Sequence, residues 1–246
     1  MFQYLLRLGD SPLVLAQLLG EWIGHGPILE EDIALANIAL DLIGQASALL
    51  RLAGEIEGEG RDEDALAYFR DEFQFRNVQM VELPRGDFAF TIVRQFLFDL
   101  HSVLLLDALQ QCSHPRLAAI AAKAHKETKY HIRHSSEWLL RLGDGTVESH
   151  ARAQRALDEL WRFTGELLAS DGVDAAVSRN GIAVDRGALH ADWLAMVASY
   201  VHRSTLVLPT GGQMASGGRS GRHTEFLGHM LAEMQIVARS HPGASW

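Results

Sequence analysis

The chain has 246 residues, of which 48% are hydrophobic and 22% charged, with a formal net charge of −9. Those proportions fit a globular protein with a large core and no low-complexity tract, and a single domain over residues 1–246 is expected. An acidic balance argues against a nucleic-acid partner, which would meet a basic face.

Cys112 is the only cysteine, which excludes an intrachain disulfide and disfavours a cysteine-based metal site. The first ten residues lack a basic leader with a following apolar run, and no stretch reaches about 18 uncharged apolar residues. A cytoplasmic chain without a membrane partner is the expectation.

Helical periodicity dominates and strand-like alternation is nearly absent. Ser11 as N-cap and Pro12 at the first helical position predict a helix to about Ile23, broken by Gly24-His25-Gly26-Pro27. A second helix is predicted from Glu30, and its dense apolar content implies burial on most faces. A third is predicted from Asp62-Glu63-Asp64 to Leu83-Pro84, and a fourth from Asp87 to Gln111. The alanine-rich run after Pro115 contains neither Gly nor Pro until Gly143 and predicts one long helix. Further helices are predicted over about Val147–Ala169, Gly187–Leu208 and from His223 or Thr224 onward. Residues 170–186 and the glycine-rich 209–222 are predicted to be irregular. The sum is an all-α, antiparallel helix bundle with additional C-terminal helices.

Four acids fall within apolar helices: Glu21, Asp41, Asp99 and Glu127. Four carboxylates on four helices is the arrangement of carboxylate-bridged di-iron bundles, which also need a Glu-x-x-His pair on each of two helices. Here the residue three after Asp41 is Gly44, and the residue three after Glu127 is Tyr130, on the same helix side. His131 follows Glu127 by four, which leaves a single-metal site on Glu127 and His131 as an alternative. A paired, hydrogen-bonded polar core is the preferred reading of these residues. Arg219 and Arg222, in a glycine-rich stretch before the last helix, are candidates for receiving an anion or a partner. A plain surface connection is the competing reading there.

Several long motifs resemble one family: Leu6-Arg7-Leu8-Gly9-Asp10, Gly20-Glu21-Trp22-Ile23-Gly24-His25, Asn37-Ile38-Ala39-Leu40-Asp41, Lys126-Glu127-x-x-Tyr130-His131, Leu160-Trp161-Arg162-Phe163-Thr164 and His223-Thr224-Glu225. Together they are similar to the C components of bacterial phenylacetyl-CoA epoxidases (ring-1,2-phenylacetyl-CoA oxygenases), in the family of phenylacetic acid degradation proteins. The resemblance implies a ferritin-like fold and a place in aerobic phenylacetate breakdown. It also implies a non-catalytic subunit without catalytic or metal residues, whose candidate relic positions are those named above. The di-iron centre is expected in a catalytic partner subunit, with further small and reductase subunits and phenylacetyl-CoA bound by the complex. A broad apolar helix surface is expected to be reserved for that partner, and a homo-oligomer through the same patch is expected when the chain is alone. The rival from a different class is a metal-dependent oxidase with its own carboxylate and histidine site.

Overall fold

The computed structural model describes residues 1–182 and 184–244, and among them every regular element is helical. The chain divides into two compact units, Met1–Pro84 with Ser216–Trp246, and Arg85–Ala215.

The first unit is built on a pair of long helices, α1 (Phe2–Gly20) and α2 (Leu29–Glu57). Helix α1 starts nine residues before the expected N-cap and carries Pro12 in its interior. A mid-helix proline costs about 3 kcal/mol, whereas each fully buried large apolar side chain contributes about 1.5–3 kcal/mol. Tyr4, Leu5, Leu6 and Leu8 are all buried, so packing decides against the local signal. Ser11 does not cap the helix; its hydroxyl accepts from the Val78 amide at 3.2 Å.

Helix α2 has acids in its first turn and ends on Gly58 at φ 76, which closes its last carbonyls. The burial on most faces expected of it is wrong. Leu35, Ile38, Leu42 and Leu49 face inward, but Leu29, Ile33, Leu40 and Ile43 are exposed. The predicted third helix is also corrected, since only Glu63–Tyr68 (α3) is α-helical and two 3₁₀ turns follow at Glu72–Gln74 and Gln79–Glu82.

The second unit rests on α4 (Phe88–Leu109) and α5 (Pro115–Gly143), close to their predicted bounds. Asp87 caps α4 through the Phe90 amide, and a five-residue connection makes the two helices an antiparallel pair. Helix α6 (Val147–Trp161) ends earlier than predicted and is followed by one short turn, α7 (Gly165–Leu168). The stretch predicted as irregular holds α8 (Gly172–Ser178), capped by Asp171 through the Val173 and Asp174 amides. Helix α9 (His190–Arg203) seats Trp193, whose indole donates to the Leu97 carbonyl at 3.3 Å.

Helix α4 is buried over most of its length, while α2 is buried over far less. Both are long and apolar enough to cross a membrane by length and composition. In α4 78% of the apolar window is buried within the protein, as a core helix requires. Helix α10 (Glu225–Ser240) returns the chain to the first unit, where Gln235 and Arg239 bond the Arg70 carbonyl.

Candidate functional site

Of the four acids expected inside the helices, only Asp99 is fully buried. It lies on α4, and Gln95, one turn earlier, donates from Nε2 to Asp99 Oδ1 at 2.7 Å. Ser135 Oγ of α5 lies 2.8 Å from Asp99 Oδ2 and 3.0 Å from the His131 carbonyl oxygen. A serine hydroxyl has one proton, so it cannot donate to both oxygens in full. A proton on Asp99 resolves the conflict: the acid donates to Ser135, and Ser135 donates to the carbonyl. Burial pushes the Asp99 carboxyl up to about 8, against the opposing pull of its bonds to Ser135 and Gln95. Asp99 is therefore a neutral acid near pH 7, built into the packing of α4 on α5.

Glu127 is half-buried on α5 and pairs with Lys123 at 3.5 Å. His131 is buried. Tyr130, expected on the same side as Glu127, is 73% exposed and points to solvent. Glu127 sits at the edge of the buried arc, so a residue 300° on falls outside it whereas one 40° further on falls within it. Histidine at the Tyr130 position would face water too.

In the first unit Glu21 is exposed and forms the C-cap of α1. The last turn of that helix ends at Gly20, and Glu21 falls beyond it. Asp41 is half-buried on α2 between the exposed Leu40 and Ile43, and the position where a ligand histidine would stand is the exposed Gly44. Among the described residues no three His, Cys, Asp or Glu side chains gather as a metal-holding group. A protonated Asp99, a lysine-paired Glu127 and an outward Tyr130 do not fit an iron centre, which needs ionised carboxylates and imidazoles turned to one point.

The two arginines before the last helix do not converge either. A 3₁₀ turn at Gly218–Ser220, flanked by Gly217 at φ 131 and Gly221 at φ 82, folds the segment down. Arg219 is consequently buried, and its carbonyl accepts from Arg7 Nε at 3.2 Å. Arg222 is exposed, and its carbonyl accepts from Gln79 Nε2 at 2.9 Å. Glycine content alone suggested an open loop; the turn geometry buries Gly217, Gly218 and Arg219 within it.

The strongest buried polar groups are ones that periodicity does not single out. Asp10 and Arg70, at 0% and 2% side-chain exposure, form an ion pair in the first unit. Asp10 also accepts from the Arg76 amide at 2.7 Å, and Arg70 lies over the Phe75 ring at 4.3 Å. Glu82 is likewise buried and receives Asn77 Nδ2, the Thr224 amide and His223 Nδ1, which ties the C-terminal segment to the 75–82 loop. In the second unit Arg186 reaches His101 Nε2 at 3.2 Å, the Leu167 carbonyl at 3.1 Å and Asp174 at 3.7 Å. Asp10 sits in Gly9-Asp10-Ser11-Pro12, which reads locally as a turn. Its partner is 60 residues away, so no local pattern announces it.

These networks hold segments of each unit together. Comparison with known proteins agrees on the kind of molecule. The C component of the 1,2-phenylacetyl-CoA epoxidase of Escherichia coli (strain K12) is 53% identical to this chain over 243 residues, which is 99% of this chain and 98% of that protein. The all-α, ferritin-like fold class expected from the sequence stands. The family model described as phenylacetic acid catabolic protein matches residues 1–246, and the chain belongs to that family.

Proposed function

We propose that this chain is a non-catalytic structural subunit of a multicomponent phenylacetyl-CoA 1,2-epoxidase, supporting a separate di-iron catalytic subunit in aerobic phenylacetate breakdown. The observation that carries the reading is the state of the positions where iron ligands would stand. Asp41 is followed by an exposed Gly44, and Glu127 by an outward Tyr130, while Asp99 is sealed by Gln95 and Ser135. The likeness to a protein named as one component of such an epoxidase supports the same role. The apolar stripe of α2, where Leu29 is 71% and Leu40 64% exposed, supports a lasting partner, because such a stripe in water favours association. The cofactor of the reaction and the contact with phenylacetyl-CoA belong, on this reading, to the assembled complex in the cytoplasm.

Iron analysis of the chain purified alone, after growth with added iron, tests the proposal. Less than about a tenth of an equivalent is expected, with activity appearing only when the catalytic subunit is added. Close to two equivalents of iron, or turnover by the isolated chain, would overturn it.

A further inference from the structure

The outward side of α5 is unlike the rest of the chain's surface. The sequence contains three lysines, Lys123, Lys126 and Lys129, all within seven residues on this helix. Lys123, Lys126 and Lys129 are all exposed, and Arg116, Arg133 and Arg141 are exposed along the same helix. The helix carries six basic residues against Glu127 and Glu137, a surplus of four positive charges in a chain of net charge −9. Glu127 is drawn to Lys123 and Glu137 to Arg133 at 3.2 Å. Among the described residues no carboxylate pairs with Lys126 or Lys129. The crowding is felt nearby: burial, and next the charge of Lys129, hold the His125 ring below its usual range. Tyr130 stands 73% exposed among these cations.

We infer that this strip is a docking surface for an acidic face of another protein. Elsewhere the cations of the side chains are arginines, of which Arg70 and Arg186 are locked in buried pairs. Lysine on a long flexible stem stays hydrated and suits steering and reversible pairing. From Arg116 to Arg133 the strip runs about 25 Å, the span of a single acidic helix or loop. Tyr130 at its centre supplies a large contact of the kind that anchors interfaces, and the lysines around it form a charged rim. The acidic balance of the whole chain repels long polyanions such as nucleic acid, so the attraction is local to the strip.

The test uses the full chain and a 20-residue poly-L-glutamate as the acidic probe, with carbodiimide to join lysine amines to carboxylates that contact them. Since the side-chain amines of the chain all lie on this strip, mapped lysine crosslinks report it alone. Expected are crosslinks at Lys123, Lys126 and Lys129, and binding that falls at least tenfold between about 50 and 200 mM salt. Replacing the three lysines together by Glu, or by Ala in a second variant, should weaken binding at least tenfold with helix content unchanged. Arg155→Glu on α6 should leave it as it was. No binding by the wild-type chain, equal binding by both triple variants, or equal or tighter binding to duplex DNA or phosphatidylserine vesicles would overturn the inference.

Discussion

Replacing Asp99 by Asn tests the reading of the α4–α5 core most directly. The side chain is fully buried, and its carboxyl is pushed up to about 8 by burial, from about 3.9 in an unfolded chain. Between those values the unfolded state has lost the proton and the folded state keeps it. Stability contributed by this group is therefore full below about pH 4 and declines as pH rises, by up to about 1.4 kcal/mol per unit, until it levels above about pH 8. At pH 7 the loss amounts to about 4 kcal/mol. Asparagine keeps the shape, accepts from Gln95 through its oxygen and donates to Ser135 through its nitrogen, so it mimics the neutral acid and does not titrate. Urea unfolding midpoints of the two proteins at pH 5, 6, 7 and 8 supply the difference, in which the titrations of all other groups cancel. The Asn variant should gain on the wild type steadily with pH and be the more stable by pH 7. A difference that stays constant with pH, or a wild type that gains on the variant as pH rises, would refute a neutral Asp99.

Two further outcomes follow from the packing. Arg70→Ala should destabilise the first unit by about 3–5 kcal/mol, because it leaves Asp10 charged and buried without its cation; chemical denaturation measures this, and a loss under about 1 kcal/mol would contradict the pairing. Gly143→Ala should cost at least about 2 kcal/mol, since the added Cβ would lie 2.0 Å from the Ser204 carbonyl oxygen at the junction of α5 and α9. A lowered melting temperature together with loss of the Thr205 hydroxyl bond to the Gly143 carbonyl, seen by amide and side-chain NMR, is the expected sign.

The sequence by itself determined the elements whose signals are local. Helix α5 followed from Pro115 and a run without glycine, α4 from the apolar run after Asp87, and α10 from His223 or Thr224, because caps, propensity and period act over a few residues. The missing histidines at Gly44 and Tyr130 were equally legible, being questions of residue identity alone. Tertiary structure decided what depends on distant partners. It extended α1 back to Phe2 through a proline, since burial of four large side chains outweighs one lost hydrogen bond. It left Glu21 outside and Asp99 inside, though both interrupt apolar runs, because burial is set by what packs on a helix and not by the helix itself. It joined Asp10 to Arg70 and Glu82 to His223 across 60 and 141 residues, and drew Arg219 into the interior. Period and capping specify which residues become helix; only the packed chain specifies which of its charges meet one another and which meet water.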